Sequence, residues 1–167
     1  MSRRHTPAKP AKTAKSAKSA KPARSGKPGN AAAAPRIQPP ADGAACPCGL
    51  DAAYGDCCGR FHRGEGTAPS AERLMRSRYS AFVAGDAAYL LRTWHPDTRP
   101  ERLELDPKTR WLGLEVLETS GGGAFHSEGT VRFRARFREA GREGAVDEHS
   151  TFVRLDGAWV YVTALGD

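Results

Sequence analysis

The chain has 167 residues, 39% of them hydrophobic and 27% charged, a balance that fits one folded domain carrying a polar extension and excludes a fibrous or membrane-spanning composition. No window approaches the roughly 18 consecutive apolar residues that a spanning helix needs, so no membrane partner is expected. The net charge of +7 suggests nucleic-acid binding until it is divided: residues 1–45 hold ten Lys or Arg against Asp42 alone, and the other 122 residues hold 16 bases and 18 acids.

Residues 1–45 cycle through Lys, Ala, Pro, Ser and Gly, with Ile37 the one large aliphatic residue after Met1. Such a composition cannot bury enough apolar surface to offset chain entropy, so a disordered basic tail is expected. Its lysines would support a loose, salt-sensitive contact with nucleic acid or ribosomes; a merely solubilising extension is the alternative. Ser2-Arg3-Arg4 is not followed by an apolar region, which argues against export and for a cytoplasmic protein.

All four cysteines fall in CPCGLDAAYGDCC, residues 46–58. Zinc takes four thiolates in a closed tetrahedral structural site, and Cys46, Cys48, Cys57 and Cys58 supply that set with none left over. Gly49, Gly55 and Gly59 permit the sharp turns required. The alternatives are unpaired buried thiols and disulfides. A Cys57–Cys58 bridge would be strained and a Cys46–Cys48 bridge closes a very small ring, whereas cross-pairing of Cys46 with Cys57 and Cys48 with Cys58 stays open. His62 is a nearby imidazole, read as a bystander.

Beyond the cysteines, Pro69-Ser70 opens SAERLMRSRYSAFVAG, whose Leu74, Met75, Arg78, Tyr79, Phe82 and Val83 share one helical side; Ser70 caps the start and Gly85 the end. Asp86 caps a shorter helix over 87–94, stopped by His95-Pro96. The period then changes. WLGLEVLET, residues 111–119, reads as a strand with Leu112, Leu114 and Val116 on one side. In TVRFRARFRE, Val131, Phe133, Ala135 and Phe137 alternate with Arg132, Arg134, Arg136 and Arg138, so a strand sends the two sets to opposite faces. Asp156-Gly157 closes a hairpin that sets Leu155 opposite Ala158, Arg154 opposite Trp159 and Phe152 opposite Tyr161. Helices followed by an antiparallel meander define an α+β class.

The cysteine segment resembles the SEC-C zinc motif, Cys-x-Cys followed by eight residues and Cys-Cys or Cys-His, found at the tail of the preprotein translocase motor and in small bacterial proteins. That family favours lysines before its last cysteine pair, where this chain has Gly55-Asp56. From CCGRFHRGEGTAPSAERLMRSRYSAFVAGDAAYLLRTWHP through WLGLEV, VRFRARF and EHSTFVRLDGAWVYV, the chain is similar to the YchJ-like family. The resemblance implies three parts: a tail over 1–45, a four-cysteine zinc motif over 46–62, and over 63–167 a domain similar to nuclear transport factor 2. Such a domain is a cone-shaped curved antiparallel sheet packed on helices around a cavity.

Cones of this kind host isomerases and dehydratases, so Arg76, Arg78, Tyr79, Trp94 and His95 are candidate pocket residues. Four of them also have a structural reading: Trp94 as core, His95 as a helix-end residue, and the two arginines paired with Glu72 and Asp86. No Ser-His-Asp order, P-loop or dinucleotide fingerprint is present. The arginine face could track phosphates over about 20 Å; its alternative is a solvated face balanced by Glu115, Glu118 and Glu148. The expectation that follows is a zinc-binding accessory or interaction protein with a protein or ribosome partner. A small-molecule enzyme working in the cone and a nucleic-acid or ribosome-associated factor using the tail are the alternatives.

Overall fold

The computed structural model describes residues 37–166. The tail expectation for residues 1–36 lies outside the described residues, whereas 37–45 are placed: Ile37 lies over Gly85, and Ala44 and Ala45 belong to the cysteine motif. Three helices, α1 (Cys58–His62), α2 (Ala71–Ala84) and α3 (Ala87–Arg92), precede four strands, β1 (Arg110–Gly121), β2 (Glu128–Glu139), β3 (Arg142–Leu155) and β4 (Ala158–Leu165). The strands pair in sequence order as one antiparallel meander, which makes the fold α+β.

Local chemistry sets the helix ends. The Ser70 hydroxyl accepts from the Arg73 amide at 3.1 Å, Glu72 stands in the positive first turn, and Gly85 closes α2 at φ 72°. The Asp86 carboxylate accepts from the Tyr89 amide at 2.8 Å and starts α3. That helix stops at Arg92, two residues before the expected end, because Thr93 and Trp94 join β4 instead. Tyr161 donates its amide to Thr93 O, His95 donates to Tyr161 O, and Trp94 bridges Tyr161 in parallel.

The concave face of the sheet holds α2. Leu74, Met75 and Tyr79 pack on Val131, Phe133, Ala135, Phe152 and Trp159, with Trp111, Leu114 and Val116 at the margin. The inward set of β2 is the one its alternation predicts, and Arg132, Arg134, Arg136 and Arg138 are exposed. Two of the four arginines are ion-paired, Arg134 with Asp147 and Arg138 with Glu143. β1 does not keep one phase. A register shift between Trp111 and Gly113 puts Trp111 rather than the expected Leu112 against the core with Leu114 and Val116, a second shift lies between Val116 and Glu118, and such irregularities add curvature. The Leu155/Ala158, Arg154/Trp159 and Phe152/Tyr161 pairs form as expected around a turn whose Asp156 and Gly157 have φ 49° and 84°.

Removing a fully buried ring leaves a void as well as lost transfer energy, so Phe152→Ala should cost about 3–5 kcal/mol in chemical denaturation. Phe125→Ala, at a ring that is fully exposed, should change stability by less than about 0.5 kcal/mol.

Candidate metal centre

The cysteine motif is built as a small knuckle followed by a helical turn. Ala45 pairs antiparallel with Ala53, the Cys46 amide donates to Ala52 O at 2.9 Å, and the Tyr54 amide donates to Ala44 O at 2.8 Å. Cys46 and Cys48 therefore lie on the segment entering the tip, where Gly49 turns the chain at φ 83°. The chain returns through amides of Cys57 and Gly59 that both donate to Tyr54 O, at 3.1 and 2.8 Å. Gly59 has to be glycine for space: a Cβ there would stand 2.7 Å from that same carbonyl. Cys57 becomes the residue before α1 and Cys58 its first residue.

The outcome is a quartet of buried sulfurs, all within 4.8 Å of one another. The Cys48 and Cys57 sulfurs are 3.6 Å apart and those of Cys57 and Cys58 4.0 Å. A disulfide requires about 2.05 Å, and all four thiols are free, which removes both the adjacent and the cross-paired bridges. Tetrahedral thiolates about 2.3 Å from a central ion would be separated by about 3.8 Å, a value the two observed distances bracket. The quartet can hold a metal ion.

Its electrostatics favour one. Hydrogen bonds from Cys48, then Cys58, hold the Cys46 thiol far below its ordinary range. The bond to Cys46 is the main reason the Cys48 thiol is pushed up to about 12, and Cys46, then Cys48, then burial drive Cys58 far upward. One ionised sulfur thus suppresses ionisation of its neighbours, and a bound divalent cation would let more of them ionise. Positive groups from α2 already surround the cluster. Arg73 Nη2 donates to Cys57 Sγ at 3.7 Å, and Arg76 Nη1 donates to Cys48 O at 2.8 Å while its Nε pairs with Glu72 at 2.8 Å.

His62 is engaged elsewhere. Its Nε2 donates to Ser77 O at 2.9 Å, so its Nδ1 accepts from the Tyr54 hydroxyl at 2.7 Å. Burial lowers its pKa, which fits this neutral bridge between the motif and α2.

The expected pocket residues disperse. Arg76 belongs to the cysteine cluster. Tyr79 is a core residue set edge-on against Trp111, with ring centroids 5.8 Å apart. His95 sits beyond α3, its Nδ1 accepting from the Asp97 amide at 3.2 Å. Only Arg78 and Trp94 meet, at a cavity of about 160 Å³ that Glu148 and Tyr161 also line. Arg78 does not pair with Asp86; its guanidinium is buried among aromatic rings. Glu148, expected among the arginines, stands on the opposite face because its partner in β2 is Phe133.

A family model described as "YchJ, middle NTF2-like domain" matches residues 70–164. A UPF0225 protein of Streptomyces coelicolor is 63% identical over 116 residues, covering 70% of this chain and 90% of the relative. One from Corynebacterium glutamicum is 53% identical over 121 residues, covering 72% and 96%. The solution structure of a SEC-C motif containing protein from Rhodopseudomonas palustris, 35% identical, superposes with a TM-score of 0.65 over 74% of this chain and 99% of that one. A crystal structure of a SEC-C motif containing protein from Psychrobacter arcticus, 30% identical, gives 0.56 over 73% and 83%. The chain belongs to the YchJ family: a SEC-C-type cysteine cluster compatible with zinc precedes an NTF2-like domain.

Tyr54→Phe would leave the acceptor nitrogen of the half-buried His62 without its donor. A loss of about 1–2 kcal/mol is expected in urea denaturation.

Proposed function

We propose that this protein is a zinc-binding accessory or interaction module in which Cys46, Cys48, Cys57 and Cys58 hold one structural Zn²⁺. The observation that supports this most is the quartet of free, buried sulfurs gathered within 4.8 Å. Soft thiolates in a four-sulfur set suit zinc, and a set made wholly of protein ligands has no open position for substrate, which is the mark of a structural site. Arg73 and Arg76 would offset the double negative charge of a divalent ion bound by four thiolates. A reducing, cytoplasmic setting keeps such thiols available.

The ion's task is to order the segment before α2 and hold it against that helix. An interaction role is preferred to catalysis by Tyr79 or His95, neither of which lines the cavity, and a catalytic alternative would have to use Glu148 and Tyr161, which do. A protein or ribosome partner would meet the zinc-ordered surface, and the basic residues 1–45 would add a loose electrostatic contact with nucleic acid.

Purified protein should contain about one equivalent of zinc by elemental analysis, and Cys48→Ser should lose it. Titrating zinc into the metal-free form should release protons as thiols ionise; silent, proton-neutral binding would count against thiolate ligation. Deleting residues 1–36, which hold all ten of the tail's bases, should abolish salt-sensitive retention on immobilised RNA while the zinc content of the remainder persists.

A further inference from the structure

The cavity between α2, α3 and the sheet contains a buried cation with no carboxylate at ion-pair distance. Arg78 leaves α2 toward the sheet and is only 4% exposed. Its Nη1 donates to Leu90 O at 2.7 Å and to Thr93 Oγ1 at 2.9 Å. Trp94 and Tyr161 flank the guanidinium, with ring centroids 5.1 and 4.6 Å from its carbon. Among the described residues it has no ion-pair partner within 4.0 Å, and its side-chain hydrogen bonds all run from Nη1. Burial lowers its pKa to about 10, which leaves it charged at neutral pH. Beside it, the Trp94 indole N–H is likewise buried without a partner. A buried donor left unpaired is costly, so the orphaned Trp94 indole N–H beside a buried guanidinium points to a missing acceptor.

The remaining lining defines what that acceptor carries. Met75, Phe82, Leu103 and Phe133 form an apolar wall. Glu148 also faces the cavity, and its Oε1 accepts from Ser150 at 2.5 Å and from the Tyr161 hydroxyl at 3.2 Å. Its carboxylate makes no hydrogen bond to Trp94 or Arg78, but its charge acts on Arg78 across the cavity, so a ligand carrying two negative charges would be opposed more strongly than one carrying a single charge. The volume, about 160 Å³, is close to the ~150 Å³ of a cavity that accommodates benzene.

We propose that the cavity binds a small organic monocarboxylate. Its carboxylate accepts from the free guanidinium N–H groups of Arg78 and the indole N–H of Trp94, and its apolar part, about the size of one six-membered ring, rests on Met75, Phe82, Leu103 and Phe133. This goes beyond the zinc reading and stands without it, since none of these residues touches the cysteine cluster.

The test is a two-dimensional amide and indole NMR titration of the full-length, zinc-replete protein. Benzoate is the probe, with benzyl alcohol as its neutral counterpart and terephthalate as a dianion of the same ring. Benzoate should shift the Trp94 indole resonance saturably, binding at least about tenfold more tightly than the other two, the difference expected for charge-assisted hydrogen bonds. Trp94→Phe keeps the ring and removes the donor, and should weaken benzoate about tenfold while the dispersion of the spectrum is retained. Arg78→Met should abolish binding; because Arg78 also ties down the end of α3, the Trp94→Phe result decides if that variant fails to fold. Equal affinity for benzoate and benzyl alcohol, an unchanged affinity in Trp94→Phe, shifts confined to the exposed arginines of β2, or no saturation at millimolar benzoate would each overturn the proposal.

Discussion

Four sulfurs brought within 4.8 Å in a buried pocket are the constraint on which the N-terminal third of the described fold depends. Around them the apolar support is slight: the cluster consists of the cysteines themselves and Tyr54, with Leu50 at its edge. A segment that small cannot be held by hydrophobic burial alone, and small folds commonly make up the difference with a metal or disulfides. The thiols are free, and the metal ion this quartet could hold is what would let all four face one another as thiolates.

Helix α2 carries this constraint into the rest of the molecule. One side meets the motif, through Arg73 at Cys57, Arg76 at Cys48 O, Ser77 O at His62 and Ser80 at Cys46. Another side supplies Leu74, Met75 and Tyr79 to the sheet core, and between them Arg78 reaches the cavity. Metal centre and cavity are therefore built on neighbouring residues of a single helix. Its caps, Ser70 and Gly85, fix where each of those side chains emerges.

Much of this was legible beforehand. The cysteine spacing marked the cluster, and strict alternation in β2 marked both its faces, because each signal depends on only a few neighbouring residues. What escaped depended on pairing across distance. The β2–β3 turn uses Ala140 and Gly141 at φ 48° and 78°, and an alanine there gives no turn signal, so the sequence does not mark the start of β3 at Arg142. Counting back in twos from the inward Phe152 through Ser150 puts Glu148 on the cavity side. Arg76, Arg78 and Tyr79 are close in sequence, but helical rotation sends them to the metal centre, the cavity and the core respectively. The early end of α3 follows from hydrogen bonds to Tyr161, nearly seventy residues away, which no local reading supplies.

X-ray absorption at the zinc edge of the purified full-length protein tests the central claim most directly. A single shell of four sulfurs at about 2.3 Å is the predicted result. A shell containing nitrogen or oxygen ligands, or a protein whose sulfurs are bonded to one another with no zinc signal, would contradict it.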